Sequence, residues 1–170
     1  MNVAELEKAF QKNFTERNEL GASVSVWKDG KEVVSLNRGW CEREQERAWT
    51  EDTLVPFYST TKGLAVATLL LILDEQGISP DQLVTTVWPE FPVKNGSIAQ
   101  LLSHQLGLAA LDQRVETWDH EAVVAAIESQ QPNWQPSEAH GYHPRTYGFL
   151  LDEMVRRLTG HTLGLSLIHI

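Results

Sequence analysis

The chain has 170 residues, 42% of them apolar and 22% charged, with 23 acidic against 14 basic side chains and a net charge of -9. That is the profile of a globular chain with a hydrophobic core, which argues against disorder, and its basic residues form no stripe, which argues against nucleic acid as a partner. The single cysteine, Cys41, has no companion with which to form an internal disulfide, and no role is assigned to it.

The opening residues carry no basic segment followed by an apolar core, and the longest apolar run, LAVATLLLIL at 64–73, is too short to span a bilayer. With Met1 as the true start, the expectation is a cytoplasmic protein with no membrane partner. Val3, Leu6, Phe10 and Phe14 recur at helical spacing until Gly21, so the first element is an amphipathic helix with Glu5, Glu7, Lys8, Lys12, Glu16 and Arg17 on its solvated side. GASVSVWKDGKEVVSLNRGW then alternates on both sides of Asp29-Gly30, the pattern of a hairpin.

A polar loop over 41–53 leads to VPFYSTTKGLAVATLLLILDEQG, whose composition predicts a buried helix over 55–77 closed by Gly77. Ser79-Pro80-Asp81 reads as a helix start, and Ser97 as the cap of IAQLLSHQL before Gly107. Helices are expected over 121–130 and 145–160, separated by the loop QQPNWQPSEAHGYHP. One helix, a hairpin and then mostly helices make an α+β fold. The tail LSLIHI at 165–170 breaks the pattern and resembles a translated sequencing-library adaptor, so the expected domain is 1–164 with a non-native tail; a natural strand is the alternative.

One residue does not belong in a buried helix. Lys62 puts a cation in the first turn, against the helix dipole, three residues after Ser59. Positions three apart share a helix face, so the amine can meet the hydroxyl, and the helix N-terminus and the apolar neighbours Leu64 and Ala65 favour an amine that accepts a proton. A capping serine beside a snorkelling lysine is the plainer explanation. The other S-x-x-K match, Ser25 to Lys28, lies on a strand, where a separation of three sends the side chains to opposite faces.

Together, FYSTTKGLAVATLLLILDEQG, QLLSHQLGL at 100–108 and YHPRTYGFLLDEMVRRLTG at 142–160 resemble the serine β-lactamase and penicillin-binding-protein superfamily, in its class C-like branch of hydrolases and esterases. The resemblance implies a β-lactamase-like fold with an antiparallel sheet, flanking helices and a helical subdomain. It implies that Ser59 is the nucleophile, Lys62 its activator, and Tyr142 the base and then acid of the family's Y-x-N element. Two departures accompany it. Pro144 stands where that element often has Asn, which leans away from β-lactams and peptides towards esters. The family's C-terminal strand bearing K-T-G or H-x-G does not occur in these residues, so the chain is expected to be a truncated half, unstable and inactive by itself.

Among the other residues, His140 and His143 have an H-x-x-H spacing, but Pro144 interrupts any helix that would align them, and a metal site is not expected. His104 is expected to hydrogen-bond backbone segments rather than to catalyse. Trp118 and Trp134 flank the loop before Tyr142 and are candidates to line an acyl pocket. The expected activity is hydrolysis of a small carboxylic ester through an acyl-enzyme, with no metal or organic cofactor. The alternatives are a β-lactamase or D-amino-acid peptidase, and a non-catalytic relative that binds a ligand in the same pocket.

Overall fold

The computed structural model describes residues 2–170, which form two compact units, one ending at Pro56 and the other Phe57–Ile170. In the first unit, helix α1 (Val3–Glu16) starts where the Asn2 side chain accepts a hydrogen bond from the Glu5 amide at 3.3 Å. Phe10 is buried and meets Phe14 edge-on with ring centroids 5.2 Å apart, while the six charged residues predicted to be solvated are exposed. The guanidinium of Arg38 lies over the Phe14 ring.

Strands β1 (Gly21–Lys28) and β2 (Lys31–Gly39) pair antiparallel, with Val26 opposite Val34 and a bulge between Val26 and Trp27. The turn follows from Asp29 and Gly30, both at positive φ, 52° and 74°. Ala22, Val24, Val26, Val34 and Leu36 face inward, and Ser23, Ser25, Ser35 and Asn37 face water, as strand alternation requires. These two strands are the whole sheet among the described residues. Trp49 closes over Gly21, where a Cβ would overlap its ring, and its Nε1 donates to Ser23 Oγ at 2.6 Å.

The second unit is helical. Helices α2 (Thr61–Glu75), α3 (Ile98–Leu102), α4 (His120–Ser129), α5 (Thr146–Thr159) and α6 (Leu163–His169) surround a core that includes Leu69, Leu73, Trp88, Ile98, Ile127 and Leu151. Helix α5 packs on α2, α4 and α6 through the stripe of Tyr147, Leu150, Leu151, Met154 and Val155, each 2% exposed or less. Its last turn ends at Gly160, which takes the left-handed φ of 75° as a helix C-cap. Helix α2 is apolar on all sides and leaves Leu64, Leu70 and Leu71 exposed. No helix among the described residues is long and apolar enough to cross a membrane.

Helix bounds differ from the sequence pattern at four places. The helix expected over 55–77 starts later, because Pro56 and the positive φ of Tyr58, 46°, force a 3-10 turn at Tyr58–Thr60 before α2. Ser79-Pro80-Asp81 forms a turn closed by Gln82 N–H on Ser79 C=O, and no α-helix follows, since Leu83 is extended and bridges Ser97. Ser97 caps α3 with a full capping box to Gln100, but α3 stops at Leu102 because His104 takes a φ of 63°. The tail is neither irregular nor a strand: Thr162 caps α6 by accepting from Leu165 N–H at 3.1 Å, and α6 carries the tail through His169.

Candidate active site

Ser59 lies in the 3-10 turn that opens α2. Tyr58, immediately before it, holds a left-handed conformation without being glycine, a strained placement of the kind that clusters at functional sites. The Ser59 amide precedes the first helical hydrogen bond and donates to no backbone carbonyl among the described residues. Lys62, one turn on, points its Nζ back to Ser59 Oγ at 3.3 Å.

Tyr142 reaches the same point from the far side of the unit. Its Oη donates to Ser59 Oγ at 2.7 Å, the usual length of a good hydroxyl–hydroxyl hydrogen bond. The loop carrying it is pinned along its length. Asn133 N–H donates to Gly107 C=O at 2.8 Å, Trp134 Nε1 donates to Gln105 C=O at 3.1 Å, and Gly141 lies against the Trp134 ring so closely that a Cβ would overlap it. Beyond Pro144, Thr146 Oγ1 donates to Leu108 C=O at 2.7 Å and fixes the start of α5.

Lys62 is held by more than Ser59. Its Nζ donates to the Pro144 C=O at 3.2 Å and lies over the rings of Tyr142, 5.0 Å from the centroid, and Tyr147, 6.0 Å away. The expected cover from Leu64 is not there, since that side chain is 53% exposed; two aromatic faces surround the ammonium instead. Ser59 and Tyr142 are exposed, so a reactant can approach from solvent.

The two tyrosines beside Lys62 are set apart by their surroundings. The Tyr142 phenol titrates below its ordinary 10.0, first through its hydrogen bond with Ser59 and then through Lys62. Burial pushes Tyr147 up to about 12, and its hydroxyl donates to Leu102 C=O at 2.8 Å. Of the pair, only Tyr142 is suited to lose and regain a proton near Ser59.

The remaining candidates resolve as follows. His104 accepts from the His143 amide on Nδ1 at 3.2 Å and bridges backbone segments. Both His143 nitrogens are engaged, Nε2 accepting from Leu108 N–H and Nδ1 facing Gly141 C=O, so neither is free for a metal. Trp134 is a loop anchor through its Nε1, and Trp118 is 82% exposed. The alternative pair does not form: Ser25 Oγ bonds Glu32 and Trp27, with Lys28 at the hairpin turn. Sequence reasoning missed the Pro144 carbonyl, because a main-chain acceptor leaves no mark in residue identity.

Comparison with known proteins gives a consistent picture. The family model described as Beta-lactamase matches residues 5–167. The chain is 27% identical over 164 residues to the esterase/beta-lactamase LipL of Mycobacterium tuberculosis, and 31% identical over 173 residues to esterase EstB of Burkholderia gladioli. It covers 38% and 40% of their lengths, with 93% and 96% of its own residues aligned. Among solved structures it resembles a penicillin-binding protein homolog from Caulobacter crescentus, at 36% identity and a TM-score of 0.85, covering 97% of this chain and 46% of that one. A family VIII carboxylesterase follows at 37% identity and 0.83, covering 96% of this chain and 47% of that one.

Proposed function

Since the chain belongs to the Beta-lactamase family, we propose that it forms the nucleophile-bearing part of a serine hydrolase that cleaves small carboxylic esters through an acyl-enzyme. The observation that carries this reading is the convergence on Ser59 Oγ of Tyr142 Oη at 2.7 Å and Lys62 Nζ at 3.3 Å.

In this mechanism the Lys62 ammonium favours the Tyr142 phenolate, which takes the Ser59 proton as Oγ attacks the ester carbonyl. The free Ser59 N–H donates to the oxyanion. Tyr142 then returns the proton to the departing alcohol, leaving an acyl-serine. Water attacks that ester, its proton passing to Tyr142, and the carboxylic acid leaves as Ser59 is restored.

Pro144 supports an ester over a β-lactam or a peptide, because its ring has no amide to hold a substrate side chain. Both curated relatives are named as esterases, one of them also as a beta-lactamase, which supports an ester among the substrates. The Ser59 N–H is the oxyanion donor that the described residues place at the nucleophile, and losing one such donor costs about 3 kcal/mol in barrier. A fluorophosphonate probe should label the chain, and Ser59→Ala should abolish labelling; equal labelling of the two would overturn the assignment. Hydrolysis of p-nitrophenyl acetate should exceed that of nitrocefin, and the reverse order would replace the ester with a β-lactam.

A further inference from the structure

Tyr142 is useful only if its hydroxyl stays on Ser59, yet its side chain is half exposed and its loop has no regular secondary structure. Two histidines account for its placement. His104, in the turn after α3, accepts from the Gly141 N–H with its carbonyl and from the His143 N–H with Nδ1, both at 3.2 Å. It thus grips the backbone on either side of Tyr142. His143, 2% exposed, accepts from Leu108 N–H on Nε2 at 3.1 Å, and its Nδ1–H donates to Gly141 C=O at 2.5 Å. The second grip closes the same three residues onto Leu108, in the segment after α3.

Each grip requires a bare ring nitrogen. His104 Nδ1 faces one backbone N–H and His143 Nε2 faces another. A proton added to either nitrogen sets donor against donor and breaks the contact. We propose that His104 and His143 are positioning residues for Tyr142: neutral, they hold its phenol on Ser59, and protonation of either releases the loop and withdraws the phenol from the nucleophile. This rests on the hydrolase reading for its consequence in activity, but the placement of the phenol can be read without it.

The surroundings suit such a device. His104 is faced by Lys62 from α2, by Tyr147 from α5 at 4.3 Å between ring centroids, and by His140, Tyr142 and His143 from the loop. His143 is faced by His140, by His104 and by the Trp134 ring. No carboxylate is among these neighbours to favour an imidazolium. Burial, and then the charges of His143, His140 and Lys62, lower His104 to about 4. Burial also lowers His143, against the pull of its bond to Gly141. A histidine lowered on folding contributes stability that is present above its unfolded value near 6.5 and is lost as pH falls through the folded value. For His104 that window runs from about 6.5 down to about 4.

The test combines nitrogen-15 NMR of the imidazoles, carbon-13 NMR of the Tyr142 phenol, and the rate of fluorophosphonate labelling from pH 8 to pH 4. At pH 8 the spectra should show His104 protonated on Nε2 and His143 on Nδ1. The opposite tautomer at His104 would overturn the proposal whatever the activity. His104→Asn, whose Oδ1 takes the place of Nδ1 but does not titrate in this range, should keep most of the labelling rate at pH 8 and lose the His104 step of the acid fall. His104→Ala should slow labelling by about tenfold to a hundredfold, the effect of misplacing a reacting group by about an ångström. It should also move the phenol titration back up towards 10. An alanine variant that labels at the native rate with the phenol unmoved refutes the positioning role. If no protein labels at Ser59 but the tautomers and phenol shifts come out as stated, the hydrolase reading fails and the positioning role stands.

Discussion

Replacing Tyr142 with phenylalanine removes one oxygen and leaves nearly everything else. The ring remains to face the Lys62 ammonium at 5.0 Å and the edge of His104 at 5.1 Å, and the backbone bonds of Gly141 and His143 to His104 do not involve the side chain. The lost hydroxyl sits in water-accessible surroundings, so folding should scarcely register its absence. Reactivity should register it strongly. Tyr142 Oη is the closer of the two groups on Ser59 Oγ, 2.7 Å against 3.3 Å for Lys62 Nζ, and a positioned general base contributes about 10² to 10⁴ in rate. The assay is the rate constant for fluorophosphonate labelling of Ser59, native against Tyr142→Phe, with urea denaturation run in parallel. Because both proteins have the same oxyanion donors, their ratio reports the phenol alone. A ratio below about tenfold, with folding intact, would mean that Lys62 deprotonates the serine directly and that the assignment of roles is wrong.

Three further outcomes are expected. Lys62→Met should slow labelling and shift its rise to higher pH, because Lys62 is one of the groups that lower the phenol; an unshifted pH profile would deny the coupling of the two side chains. Pro144→Asn keeps the carbonyl that anchors Lys62 and adds a side-chain amide. The ratio of nitrocefin to p-nitrophenyl acetate hydrolysis should rise about threefold to tenfold, one neutral hydrogen bond's worth, and an unchanged ratio would remove Pro144 from the account of specificity. Gly141→Ala drives a Cβ into the Trp134 ring, which its Nε1 bond to Gln105 holds in place. The overpacking should cost about 1 to 3 kcal/mol in urea unfolding, and an unaffected midpoint would show that the loop yields freely.

Much of this was legible from spacing. The alternation about Asp29-Gly30 gave the hairpin and its inward face, and the stripe from Tyr147 to Val155 gave α5 because helix and strand periods differ and turns need special residues. Ser59 and Lys62 could be paired because a three-residue separation on a helix is a distance. Tyr142 could not: 83 residues separate it from Ser59, and only its resemblance to a family element suggested the meeting that the fold provides. What stayed hidden was set by backbone conformation at residues with no glycine to betray it. Tyr58 and His104 both take positive φ, and they displaced the start of α2 and cut α3 short. The second S-x-x-K shows the converse, a correct residue pattern cancelled by strand geometry.

The lysine's second anchor is a peptide oxygen, at Pro144. Whatever amino acid occupies 144, that oxygen is still present, so mutation there can retune which molecules are welcomed without unmooring the ammonium. Proton traffic and selectivity are thereby assigned to different atoms of one residue, and a lineage could explore new chemistries at this spot while its nucleophile stays armed.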